Sequence, residues 1–243
     1  MARVDGRAPD ALRITRITPG VLDHAEGSAM IEVGGTRVLC AASVEESQPP
    51  HLKGTDGGWV TAEYAMLPRS THTRRQRDAT RGRIDGRTHE IQRLIGRSLR
   101  ASMDLSRLGP RSIYIDCDVI QADGGTRTAA ITGGYVALAL AVEWVMRRRH
   151  LNKSPLVTQV ASVSAGIVGG DPALDLSYEE DSRADLDFNV VMTAAGEFIE
   201  VQGTAERRSF DRAGLASILD LAEGGIRTLF AMQRDAIAAG RPR

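Results

Sequence analysis

Asp123-Gly124-Gly125-Thr126-Arg127-Thr128-Ala129-Ala130 closes one apolar pattern and opens another. Before it, residues 112–121 alternate, with Ile113, Ile115, Cys117 and Val119 on one face, as in a half-buried strand. After it, an apolar run predicts a helix from Thr126 to about residue 149. Strand, glycine turn and helix start together leave backbone N–H groups and the positive end of the helix dipole open to an anion. The glycines let a ligand approach the backbone, and Arg127 adds a planar cation suited to phosphate. The reading predicts a bound phosphate or phosphate ester. Neither G-x-x-x-x-G-K-S/T nor G-x-G-x-x-G occurs, so nucleotide loops of those kinds are not supported.

Working outward, residues 12–17 read as a strand. Residues 28–33 and 36–44 read as two more, flanking Gly34-Gly35 as a hairpin does. A further strand is expected over 59–67. Residues 68–83 hold many arginines and almost no apolar side chains, which predicts a mobile basic loop. A helix over 88–103 follows, with Ile91, Leu94, Ile95, Leu99 and Met103 as its apolar stripe. Arg147-Arg148-Arg149 suits the negative end of the helix that opens at Thr126. In the second half we expect a strand over 156–168, a turn at 169–171, a hairpin of 186–193 and 198–204, and a last helix over 212–238. The fold class is α+β: two similar halves of mixed β-sheet packed with helices, with no linker between them, hence a single domain over 1–243.

The chain has 243 residues, 42% hydrophobic but only 4% aromatic, so its core must rest on Val, Leu, Ile and Ala. Acidic and basic residues balance at 31 each, and only their distribution is informative. Between residues 69 and 100, ten arginines face Asp78, Asp85 and Glu90, a local balance of +7. Between 171 and 206, ten acids face Arg183 alone, a balance of −9. The first block is a footprint for nucleic-acid phosphates or a solvated surface. The second could hold a divalent cation or, again, be solvated. Of the basic residues 29 are Arg, which suits bidentate phosphate contacts but also follows from a G+C-rich genome. Cys40 and Cys117 lie in apolar runs without metal-ligand spacing, so buried free thiols in a reducing compartment are expected. Residues 1–13 lack the apolar core of a secretory signal. Residues 129–146, interrupted by Thr132, Gly133, Gly134 and Glu143, read as a core helix with no membrane role. These features predict a soluble, cytoplasmic protein.

The acidic block contains Asp181, Asp185 and Asp187. At strand spacing Asp185 and Asp187 share a face, and Asp181 could reach them from the preceding turn. Carboxylates beside a phosphate site suit Mg²⁺; equally, turn aspartates satisfy local backbone groups, the reading preferred for Asp185. His24, His51, His72, His89 and His150 are scattered, and no G-x-S-x-G nucleophile appears. Inorganic phosphate is already an anionic nucleophile and needs a cationic cradle more than a base. Attack of phosphate on an RNA phosphodiester would use the anion loop, the carboxylates and the basic track together.

Several segments resemble the ribonuclease PH family of bacterial phosphate-dependent 3′-exoribonucleases. They are GRTHEIQRLIGRSLR at 86–100, IDCDVIQADGGTRTAAITG at 115–133, TAEYAMLP at 61–68, EVQGTAE at 200–206 and the acidic segment 176–192. The resemblance spans nearly the whole chain. It implies phosphate binding by Arg87, Gly125, Thr126 and Arg127, and catalytic and metal (Mg²⁺) roles for Asp181 and Asp187. It implies an RNA track of Arg69, Arg74, Arg75, Arg77, Arg81, Arg83, Arg93, Arg97 and Arg100, leading in the 3′ ends of precursor transfer RNA. It also implies a homohexamer built as a trimer of dimers, and release of nucleoside 5′-diphosphates. The chain departs from the family pattern at Ile14, where proline is usual, and at Arg207-Arg208, where glycine is more typical. The alternatives are a non-catalytic RNA-binding ring subunit of the same fold and a metal-dependent hydrolytic nuclease. A small-molecule phosphate transferase would leave the basic block without a use.

Overall fold

The computed structural model describes residues 3–149 and 151–240. Strands β1 (Thr15–Pro19), β2 (Gly27–Val33) and β3 (Thr36–Glu45) are followed by a 3₁₀ turn at Pro50–Leu52 and strand β4 (Trp59–Met66). Next come helices α1 (Asp78–Arg81), α2 (Gly86–Arg100) and α3 (Leu105–Leu108), strand β5 (Ser112–Gln121) and helix α4 (Thr126–Arg149). The second half holds β6 (Val160–Val168), β7 (Asp171–Leu174), helix α5 (Tyr178–Asp181), β8 (Leu186–Thr193), β9 (Phe198–Ala205) and helix α6 (Arg212–Gly240).

Two sheets result. The first runs β1-β2-β3-β5-β4, antiparallel except for the parallel pair β4–β5, and is the mixed sheet expected. The second runs β7-β6-β8-β9 and is antiparallel throughout; short turns join β6 to β7 and β8 to β9, and the chain through β7 and α5 brings β8 back beside β6. Directly opposed residues share a face, so Ile31 with Val38, and Cys40 with Cys117, point into the core. Both thiols are free and buried.

Helix α4 sits between the sheets, packing on β2 and β3 of the first and β6 of the second. It is long and apolar enough to cross a membrane, but 83% of its most apolar window is buried inside the fold. A helix apolar all round is a core helix when protein surrounds it. Helix α2 turns Ile91, Leu94, Ile95 and Leu99 inward and packs on β4; Asp85 caps it, accepting from the Thr88 N–H at 2.7 Å.

Three expectations change. The basic segment 68–83 carries the short helix α1, held by ion pairs from Arg75 (3.4 Å) and Arg81 (3.5 Å) to Asp85. The turn at 169–171 leads directly into β7, an edge strand whose Pro172 reads as a turn residue because it cannot donate to a ladder. The segment before Asp187 forms the one-turn helix α5, with Ser177 and Glu180 as a reciprocal capping box.

Candidate functional site

A cleft of about 610 Å³ opens where the phosphate-loop end of α4 meets the second sheet. Its walls include Arg87, Gly124, Gly125, Thr126 and Arg127 from the first half, and Asp181 and Asp187 from the second. Residues of the two halves 54 positions or more apart in the sequence thus converge, as the acidic and glycine motifs required.

The loop is shaped by two glycines in the left-handed region, Gly124 at φ +75° and Gly125 at φ +66°. A Cβ on Gly124 would stand 2.6 Å from Leu176 O and 2.8 Å from Tyr178 N, so the loop is pressed against the chain entering α5. Ala129 N–H donates to Gly125 O at 3.0 Å, leaving the N–H groups of the preceding first turn without intrahelical acceptors. They are the donors an anion would take.

The underside of the loop is tied down by groups that sequence reasoning missed. Arg13 is buried and donates to both carboxylate oxygens of buried Asp175, at 2.7 and 3.1 Å. The same guanidinium donates to Asp123 O and, at 3.4 Å, to Gly124 O. Thr36 Oγ1 donates to Gly124 O at 2.6 Å and accepts from Asp123 N–H at 2.8 Å. Asp175 itself takes φ +55°, a left-handed conformation that aspartate tolerates better than most residues. Nothing local in the sequence marks these residues, since the pairs form across the whole chain.

Above the loop, Arg127 is set by Gln202 Oε1 at 2.6 Å and Glu90 Oε1 at 3.4 Å, and Gln202 donates to the same Glu90 oxygen at 3.0 Å. Thr126 Oγ1 lies 2.9 Å from the Tyr64 hydroxyl, whose burial pushes its ionisation above the ordinary value. Arg87 stands exposed at the start of α2, and its charge reaches Tyr64, Asp181 and Asp187.

The two aspartates differ. Burial pushes the Asp187 carboxyl up to about 6; the charges of Asp181 and Glu206 add to this, and Arg127 and Arg87 oppose it. Asp181 is also raised by burial of its carboxyl, against the pull of Arg87 and Arg127, but its side chain stays open to solvent. Asp187 therefore retains a proton more readily. Asp185 lies outside this cleft; its backbone carbonyl accepts from the N–H groups of Glu206 and Arg207 at 3.0 and 3.2 Å, beyond the end of the β8–β9 pairing. Among the described residues no three carboxylate, histidine or cysteine groups gather as a complete metal cage. Two carboxylates lining one cleft, Asp181 raising the proton affinity of Asp187, nevertheless suit Mg²⁺, which typically takes one or two carboxylates plus phosphate oxygens and water.

The predicted RNA track divides. Arg69, Arg74, Arg77, Arg81, Arg83, Arg93 and Arg97 are exposed, and Arg75 lines the cleft beside Met66. Arg97 pairs with Glu200 at 2.5 Å. Arg100 serves the fold: its guanidinium lies 4.4 Å from the Trp59 ring centroid and donates to Val60 O at 2.8 Å. In the run ending α4, Arg147 pairs with Glu143 and Arg148 lies over Trp144; His150 and the Arg149 side chain fall outside the described residues. Arg207, a departure noted in the sequence, lines the cleft.

Comparison with known proteins identifies the family and the fold. Residues 11–142 match the 3′ exoribonuclease family, domain 1, and residues 158–225 match its domain 2. A curated relative, "Ribonuclease PH" of Solibacter usitatus, is 57% identical over 97% of this chain and 99% of its own. The Archaeoglobus fulgidus exosome with RNA bound to the active site aligns with TM-score 0.80 at 24% identity, over 94% of this chain and 91% of that one. Rice (Oryza sativa) Rrp46 aligns with TM-score 0.77 at 20% identity, over 97% and 100%. At such identities the structural matches speak for the fold alone.

Proposed function

This chain belongs to the 3′ exoribonuclease family, and we infer from that premise and from the cleft that it is a phosphorolytic 3′-to-5′ exoribonuclease, a tRNA nucleotidyltransferase trimming 3′ extensions of precursor transfer RNA. One observation carries the chemistry: a glycine loop with open N–H groups and two arginines face two unequal carboxylates across one cleft.

In our reading, inorganic phosphate is held by Arg87, Arg127 and the loop at Gly125 and Thr126. One of its oxygens attacks the phosphorus of the last phosphodiester as the bond to the preceding 3′ oxygen breaks. The products are a nucleoside 5′-diphosphate and an RNA one residue shorter. Asp187, whose carboxyl is pushed up to about 6, protonates the leaving 3′ oxygen, and Asp181 stands beside it to orient that acid. Asp181 and Asp187 are the residues that would hold Mg²⁺, which when bound would neutralise charge on the transferring phosphoryl group. Fixing Arg127 through Gln202 and Glu90 prepares the site before phosphate arrives.

We further propose a homohexamer built as a trimer of dimers, and a cytoplasmic location. The outer face of the first sheet supports assembly. Met30, Leu39, Ala41 and Tyr114 line it half-buried, and Glu63, Asp116 and Asp118 share it. Burial and the charges of Glu63 and Asp118 raise the Asp116 carboxyl, a cost a partner's cation would relieve. Free buried thiols suit a reducing compartment.

The decisive experiment incubates the protein with 3′-extended transfer RNA and Mg²⁺, with and without inorganic phosphate. Nucleoside diphosphates appearing only with phosphate are expected. Monophosphates formed without phosphate would overturn phosphorolysis in favour of hydrolysis, and RNA binding without release would leave only a scaffold.

A further inference from the structure

The two peptide groups that open the phosphate loop, Asp123–Gly124 and Gly124–Gly125, are both gripped by their carbonyls. Buried Arg13 donates to Asp123 O and to Gly124 O, and fully buried Thr36 donates through Oγ1 to Gly124 O at 2.6 Å. In a planar trans peptide the C=O and the N–H point in opposite directions. Two carbonyls drawn towards the core therefore turn the N–H groups of Gly124 and Gly125 the other way. Both glycines line the cleft, and neither N–H donates to an acceptor among the described residues. Without such a grip these peptides would rotate at low cost, because glycine at both positions leaves no Cβ to restrain them.

The grip gives direction more than charge. Asp175 accepts from the Arg13 guanidinium at 2.7 and 3.1 Å and from the Arg13 N–H at 2.8 Å, so the cation is balanced inside the core. Asp175 is anchored in turn, its N–H donating to Ser164 O on β6 at 2.6 Å. Thr36 begins β3 and accepts from Asp123 N–H at 2.8 Å. The loop is thus referred to both sheets, to the first through Thr36 and to the second through Asp175. None of these three side chains lines the cleft.

We propose that Arg13, Thr36 and Asp175 are positioning residues for phosphate: they aim the N–H groups of Gly124 and Gly125 into the cleft and so set its affinity for inorganic phosphate without touching it. This rests on the phosphorolytic reading and deepens it. The two aimed amides join those of the first turn of α4, and successive backbone donors of this kind form a concavity that holds an anion. Donors that face the right way beforehand spare binding the cost of turning them.

The test compares Thr36→Val with Thr36→Ser. Valine keeps the volume and removes both hydroxyl bonds, whereas serine keeps the hydroxyl. Calorimetry reads phosphate binding, anisotropy of a 5′-labelled RNA reads RNA binding, and diphosphate release reads turnover. Thr36→Val should raise Kd and KM for phosphate about tenfold, with RNA affinity unchanged and kcat regained at saturating phosphate. Thr36→Ser should restore the wild-type values. Arg13→Met together with Asp175→Asn removes the ion pair without leaving one buried charge alone, and asparagine tolerates the left-handed backbone at 175. That pair should weaken phosphate binding in the same selective way. Wild-type phosphate affinity in Thr36→Val, or equal weakening by valine and serine, would overturn the proposal alone. So would RNA affinity falling in step with phosphate affinity. Wild-type protein that binds phosphate but releases no diphosphate would overturn the exoribonuclease reading, while the calorimetric comparison of valine with serine still decides the clamp. Wild-type protein that binds no phosphate would overturn both.

Discussion

Arg127 is the side chain on which phosphate use should depend most, because Gln202 and Glu90 already hold its guanidinium at the mouth of the loop. Replacing it with alanine removes a charge-assisted contact worth about 1.5–3 kcal/mol. We expect KM for phosphate to rise by roughly ten- to a hundredfold, while RNA affinity by anisotropy changes little. Equal loss of both would remove Arg127 from the phosphate site. Much of this could be read from the chain, since Gly125, Thr126 and Arg127 lie together where a strand gives way to a helix. Arg13 and Asp175 could not. They are separated by 162 positions, and only the folded molecule shows that a buried ion pair holds the loop from beneath. The unequal aspartates were also hidden, because burial and neighbouring charge, unlike spacing, are properties of the folded cleft.

At the scale of elements, the loop and α5 act as one joint. Gly124→Ala would force a left-handed φ on alanine and drive its Cβ towards Leu176 O. A loss of about 1–3 kcal/mol in stability is expected, together with loss of phosphate binding by calorimetry. Gly224→Ala in α6 is the control. Nothing stands within 4 Å of its added Cβ, so it should stabilise by about 1 kcal/mol and leave phosphate binding intact. The basic segment should act through charge. Neutralising Arg74, Arg75 and Arg77 together should weaken RNA binding and lower the slope of log affinity against log salt by about 2. An unchanged slope would detach this segment from the RNA path. Long elements with strong patterns, β5, α2 and α4, stand close to where periodicity puts them. Helix α5 has one turn, too short for periodicity, although Ser177 and Glu180 already spell the capping box that starts it. The pairing of β4 alongside β5, parallel to it, is a matter of topology that no local pattern announces.

Over the whole molecule, the N-terminal segment is fastened to the second half by buried charge. Arg3 donates to Glu180 at 2.7 and 2.8 Å, and Arg7 reaches the same carboxylate at 3.3 Å. Burial alone would raise Glu180, but hydrogen bonds from Arg3 and Ser177 and the charges of Arg3 and Arg7 outweigh it and hold it at about 2. A carboxyl lowered in the fold contributes stability that is complete above its ordinary value of 4.5 and is lost as pH falls towards 2. Glu180→Gln should therefore be less stable than wild type at pH 7, by about 3 kcal/mol, and the gap should close in acid. Thermal unfolding across that range reads it, and a constant gap would refute the linkage. Sedimentation at micromolar concentration should give a hexamer, whereas monomer alone would rule out the ring. That two halves exist could be read from the order of strands and helices; that they share one cleft depended on contacts between distant residues.

The clamp under the phosphate loop also sets when activity can first appear. Arg13 is made early and Asp175 late as the chain leaves the ribosome, and the loop they secure lies between them. Contacts of such long sequence separation form late, because a large loop must close before they contribute. A nascent or half-folded chain accordingly carries the arginines of residues 69–97 before the ion pair that secures the loop has formed. In refolding, phosphate binding should return only with the final phase, once Arg13 and Asp175 have met.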